Sequence, residues 1–289
     1  MRNRVLFFLA AVAAVQVAGS VGSAAVPLVT PSRVDAIMPM LSDKPLCVGP
    51  PITDRAAWEA LAKLPAYQKG IATADKLAQE PVPAQPDTLY LLYTQTGDRD
   101  QWQNVAFTRR GNFSILVLAE CATDTGKYLP KIAEYVAAIC AEPTWVYPAH
   151  DPKLLNFHQK TLDIELGSSH LAQELALGYA LLGVKLDPVS RKLIETNLQR
   201  RIIEPYRARY LGKDKAYGWM TVTNNWNAVC LAGVTTVGLT MIADKRTRAE
   251  FIAAAELYSP YFLKSFPADG YCEEGLGYWN YGFGHYVQL

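Results

Sequence analysis

The chain has 289 residues, 50% of them apolar and 19% charged, with 28 Lys+Arg against 27 Asp+Glu. That composition supplies a sizeable core and excludes wholesale disorder. A formal net charge of +1 speaks against the broad basic surface of a nucleic-acid-binding protein.

The first 25 residues read as an address. Arg2 and Arg4 precede an apolar run from Val5 to Val17 and then the small-residue stretch AGSVGSAA. This is the pattern of a secretory signal, with cleavage expected after Ser23 or Ala25. The apolar run of about 13 residues is short of the roughly 20 that a bilayer requires. The expectation is a periplasmic or secreted protein with no membrane span after cleavage. Export permits disulfides, yet Cys47, Cys121, Cys140, Cys230 and Cys272 are widely scattered. With no CxxC and no His–Cys cluster at zinc spacing, they read as small buried hydrophobes.

Residues 26–52 are rich in proline and lack a sustained period, which predicts an extended lead-in. A domain over residues 53–289 follows, and its patterns are helical. Thr53 or Asp54 can cap RAAWEALAKL, where Trp58, Leu61 and Leu64 share a face. AYQKGIATADKLAQE ends at the prolines of PVPAQP, and Pro86 with Asp87 opens DTLYLLYTQTG. Gly111 marks an expected break within QWQNVAFTRRGNFSILVLAE. KYLPKIAEYVAAIC and TLDIELGSSHLAQELALGYALLG are amphipathic, the second ending at Gly183. Asp187 with Pro188 opens one long helix through VSRKLIETNLQRRIIEPYRARYL. WNAVCLAGVTTVGLTMIA, KRTRAEFIAAAELYSPYFLKSF and GLGYWNYGFGHYVQL complete the series, and period-two runs of β-branched residues are nearly absent. About nine or ten helices with short polar loops predict an all-α fold of antiparallel helical hairpins, arranged as an open solenoid or closed into a ring. The last pattern still runs at Leu289 without a C-cap glycine, so the chain reads as a fragment of something longer.

Two aromatic–amide segments carry the chemistry. In Thr223-Asn224-Asn225-Trp226-Asn227 one asparagine suffices as a cap. Asn224 and Asn227 share a helix face, with Asn225 about 100° round. A carboxamide is neutral and offers both donors and an acceptor, so it can grip a carboxylate or sugar hydroxyls, while Trp226 offers a flat stacking face. The second segment runs DGYCEEGLGYWNYGFGHY from Asp269. A helix beginning near Glu274 would place Glu274, Tyr278, Tyr281 and His285 on one stripe. Its glycines would allow close approach to the backbone. No phosphate loop, nucleotide fingerprint or metal motif is present, so no cofactor is expected.

NNWNAVC, followed roughly fifty residues later by DGYCEEGLGYWNYG, resembles the heparinase II/III-like family of polysaccharide lyases. PAHD, TLDIELGSSHLAQELALGYALLG and QRRIIEPY extend the resemblance upstream to about Trp145. It implies an incomplete (α/α) toroid, here cut short, and a following β-sandwich that this chain lacks. The implied activity is β-elimination on a uronic-acid-containing polysaccharide or oligosaccharide. Asn224 and Asn225 then resemble the carboxylate-gripping pair and Tyr278 the acid or acid/base. Glu274 and Tyr281 would orient Tyr278, Trp226 would form the stacking floor, and His285 would be a second base. Asn227 joins the substrate-binding set. The sequence departs from the family in one respect: characterised members often carry a histidine beside the first-motif asparagine, whereas Asn224 is followed by Asn225 and Trp226. Of His150, His158 and His170 upstream, His150 is the best placed for a cleft.

Two other readings remain open. A glycoside hydrolase on a helical toroid would pair carboxylates drawn from Asp269, Glu273 and Glu274 with Asp163 or Glu165. A non-catalytic glycan-binding protein would use the tryptophans and tyrosines for stacking alone.

Overall fold

In the computed structural model, which describes residues 26–272 and 275–289, all regular secondary structure is helical and no strand occurs among the described residues. The expected signal segment, residues 1–25, lies outside them. The helices are α1 (Pro31–Ile37), α2 (Arg55–Ala62), α3 (Pro65–Leu77), α4 (Asp87–Thr96), α5 (Asp100–Thr123), α6 (Leu129–Cys140) and α7 (Leu166–Leu182). They continue with α8 (Pro188–Leu198), α9 (Glu204–Tyr210), α10 (Asn225–Met241), α11 (Lys245–Leu263), α12 (Leu276–Tyr278) and α13 (Gly284–Gln288).

Local chemistry explains most boundaries. Asp54 accepts from the Ala57 N–H at 3.2 Å to start α2, and Asp187 accepts from Val189 and Ser190 at 3.0 and 2.9 Å to start α8, with Pro188 in the first turn. Gly97 ends α4 in the left-handed region at φ 79, where a side chain would be strained.

Three departures from the sequence expectation have physical reasons. The proline-rich lead-in contains α1, because Thr30 caps it, Pro31 fits its first turn, and Val34 and Ile37 are buried. Helix α5 runs unbroken through Gly111. One interior glycine costs about 1 kcal/mol, and burial of Trp102, Phe113, Leu116 and Val117 outweighs it. The long helix expected after Asp187 changes register, with a π turn over Gln199–Ile203 between α8 and α9 and the Glu204 N–H reaching the Gln199 carbonyl. Pro205 has no N–H, and its ring crowds the carbonyl four residues back. The wider turn just ahead relieves that conflict.

Helices α5, α7 and α10 stand side by side, with α13 against α10. Behind them, α6 backs α5, α8 backs α7 and α11 backs α10, while α3 covers α5 and α1 covers α11. This is a two-layer row of helical hairpins over one main apolar core, with Tyr90, Trp102 and Ala106 forming a second, smaller cluster. Guanidinium groups, one buried and one partly buried, lock its loops. Arg248 donates to the carbonyls of Ile242, Ala243 and Ser42, and Arg55 donates to those of Cys121 and Ala122 at the end of α5. No helix among the described residues is long and apolar enough to cross a membrane.

Candidate functional site

The first turns of α7 and α10 converge on one surface. Glu165 caps α7 reciprocally: its Oε1 accepts from the Ser168 N–H at 2.8 Å, and Ser168 Oγ accepts from the Glu165 N–H at 2.9 Å. The other carboxylate oxygen, Oε2, lies 2.5 Å from His150 Nδ1. His150 ends the short 3₁₀ turn Pro148–His150, and its ring sits 4.6 Å from that of Trp226 and 5.7 Å from that of Tyr147. Tyr147 can lie against the start of α7 because residue 167 is glycine; a methyl group there would overlap the phenol ring. The aromatic strip continues to Phe107, 5.8 Å from Tyr147. Beneath it, the buried Arg110 guanidinium stands 5.4 Å over the Tyr147 ring and donates to the Gly167 carbonyl at 3.2 Å.

The three asparagines of the first segment have different surroundings. Asn224 is the cap of α10, its Oδ1 accepting from the Trp226 N–H at 3.2 Å. Asn225 is 4% exposed, and its Cβ lies where Gly282 comes close; a Cβ on Gly282 would stand 3.2 Å from it. Asn227 is fully buried, and its Nδ2 serves the carbonyls of Trp219, Met220 and Tyr258 at 3.1, 3.0 and 3.2 Å. This corrects the expectation that Asn227 binds substrate: its amide ties the 3₁₀ turn Gly218–Met220 and α11 to α10, and it has no surface to offer.

The second segment is not one regular helix. Glu274 lies outside the described residues, and helix begins only at Leu276. A π turn over Trp279–Phe283 follows before α13, so residues beyond it are shifted from the face that an unbroken 3.6-residue period would give them. Tyr281 and His285 nevertheless meet, with rings 4.8 Å apart and the His285 Nδ1–H donating to the Tyr281 carbonyl at 2.7 Å. Tyr281 is 37% exposed, and partial desolvation above all, with Tyr147, Cys230, Glu165 and Tyr278 in electrostatic reach, raises its pKa. Tyr278 is half-buried at the entry to the π turn.

His285 faces His170, ring centroids 5.9 Å apart and nearly perpendicular. Burial, then the neighbouring His285 and Arg110, push the His170 imidazole down to about 4. Glu174 lies 3.8 Å from His170, and burial raises its carboxyl against the opposing pull of Arg110. His158 packs instead against Phe157.

The structure thus gathers His150, Glu165, Tyr147, Trp226 and Tyr281 around the cap of α10. The contribution that sequence reasoning missed is the Glu165–His150 pair. Its signal was an acidic residue three before a serine at a helix start, together with a histidine in a proline-led turn. Asp163, a candidate for the opposing carboxylate of a hydrolase, accepts from Asn156 Nδ2 at 2.9 Å and from Thr161 at 3.3 Å. Among the described residues no three His, Cys, Asp or Glu side chains converge as a metal ion would need. Cavities of about 430 and 380 Å³ lie along α8, α9 and the end of α10 and contain none of these residues. No family model matches the chain, and no curated protein matches it.

Proposed function

We propose that the chain is an exported polysaccharide lyase-like protein, its helical row part of an incomplete (α/α) toroid, that cleaves a uronic-acid-containing glycan by β-elimination. The observation that carries this reading is the His150 imidazole, in tilted ring contact with Trp226 and held by Glu165 beside the N-terminus of α10. In this reading it would stand in for the histidine that the first motif does not have in sequence.

The chemistry follows from the parts. The proton on the carbon next to a uronate carboxylate is weakly acidic, and removing it requires that the carboxylate charge be offset. The start of α10 provides the positive end of a 17-residue helix dipole. Its cap is the neutral Asn224, whereas the matching end of α7 is already occupied by the Glu165 carboxylate. A substrate carboxylate therefore favours α10. His150 Nε2 takes the proton, the bond to the glycosidic oxygen breaks, a carbon–carbon double bond forms in the sugar, and the departing oxygen receives a proton from a phenol. Tyr281, whose phenol is within electrostatic reach of Glu165 and Tyr147, is assigned that donation ahead of Tyr278. Trp226 and Tyr147 offer faces for the sugar rings.

The test is ultraviolet absorbance of the unsaturated uronide while the protein is incubated with alginate-, heparan- and chondroitin-type glycans. A rise that vanishes in His150→Gln supports the reading. New reducing ends without absorbance would replace it with a hydrolase, and binding without either product would leave a glycan-binding protein.

A further inference from the structure

Glu165 has two oxygens and two separate tasks. Oε1 accepts from the Ser168 N–H at 2.8 Å, and Oε2 lies 2.5 Å from His150 Nδ1. The residue is 4% exposed, so neither oxygen is readily released to water. An ionised carboxylate has acceptors only. The ring nitrogen that faces it must therefore carry the hydrogen, which leaves Nε2 with its lone pair. The aromatic neighbours of the imidazole, Tyr147 and Trp226, approach it through their rings, so the hydrogen bond that orients the ring is the one to Glu165.

We propose that Glu165 is a positioning residue that fixes His150 in the Nδ1–H tautomer and so makes Nε2 the proton acceptor of the site. The proposal rests on the lyase reading for its catalytic meaning, but the tautomer is a property of the protein alone. The cap gives the carboxylate its aim. Because Ser168 fixes one oxygen at the first turn of α7, the other can point in only one direction. This is how a helix start becomes the reference frame for an imidazole contributed by a different segment.

Glu165→Gln separates the two tasks. A glutamine has one oxygen and one NH2. The Ser168 N–H needs an acceptor, so the amide oxygen stays on the cap and the NH2 turns towards His150 Nδ1. Nδ1 must then accept, the hydrogen moves to Nε2, and the base is lost while the helix cap is kept. The measurement is the nitrogen-15 signature of the His150 ring at alkaline pH, where neutral imidazoles report their tautomer, assigned by difference from His150→Gln. The expected result is Nδ1–H in the wild type and Nε2–H in Glu165→Gln, with kcat falling at least about 100-fold and KM little changed, in line with wrong-tautomer variants of other histidine bases. An Nε2–H ring in the wild type overturns the proposal, even if the variant fails to fold. So does an unchanged tautomer in a folded Glu165→Gln. Inversion of the tautomer in a protein that cleaves no glycan sustains the role of Glu165 while removing the lyase reading.

Discussion

His150 and Trp226, from distant parts of the chain, meet in a tilted ring contact, with centroids 4.6 Å apart and planes inclined at 53°. The histidine ends the Pro148–His150 turn, and the tryptophan stands in the first turn of α10. The contact joins the aromatic strip of α5 and its neighbours to the asparagine segment.

Trp226→Ala should weaken substrate binding more than turnover. Loss of a stacking face is worth about 1 kcal/mol or somewhat more beyond the buried area, so KM should rise about tenfold while kcat falls less. Steady-state kinetics on the glycan that the screen identifies would show the split. A collapse of kcat at constant KM would mean that the indole holds His150 rather than the sugar.

Asn227→Ala should act on stability. The substitution removes the donor shared by the carbonyls of Trp219, Met220 and Tyr258, all inside the core. Leaving such groups unmet costs about 2–4 kcal/mol in total. Urea unfolding should show a lower midpoint with an unchanged slope, and the folded protein should retain KM. A changed KM in a protein of normal stability would restore Asn227 to the binding set.

The two phenols can be told apart by removing one hydroxyl at a time. Tyr281→Phe should lower kcat by about 100-fold or more, the range of general-acid contributions, and Tyr278→Phe should have the smaller effect. The reverse order would return the proton-donor role to Tyr278.

His170 gives a sign-defined dependence on pH. Its imidazole is pushed down from an ordinary 6.5 to about 4 in the folded chain, so between those values the unfolded state binds more protons. Stability then rises with pH through that window and is lost as pH falls through it. Water reaches 43% of the side chain, which screens the effect and narrows the window from its acid end. Urea midpoints measured across the window should flatten in His170→Gln. An identical slope in the variant would show that His170 is not the titrating group.

Helix content and most boundaries were legible because they depend on local chemistry: Asp54, Asp187 with Pro188, and Gly97 each act within one turn of themselves. The π turns were not legible, because apolar periodicity looks the same until the register has already shifted; only Pro205 hinted at the first of them. Among the asparagines, sequence could say that one would cap but not which would be buried. That was decided by the packing of α11 and the Gly218–Met220 turn around Asn227. The Glu165–His150 pair lay beyond sequence reading for the same reason. It exists only once the end of one turn and the start of a later helix are brought together.

That pair has a consequence for how the molecule becomes competent. The carboxylate that nucleates α7 is also the one that meets the imidazole, so the two features cannot be assembled independently. If the opening turn of α7 frays, the histidine loses its anchor in the same event, although no residue of the aromatic strip has moved. Amide exchange at Ser168 and the fraction of molecules able to turn over would then report one equilibrium, and a partly unfolded chain would be silent rather than sluggish.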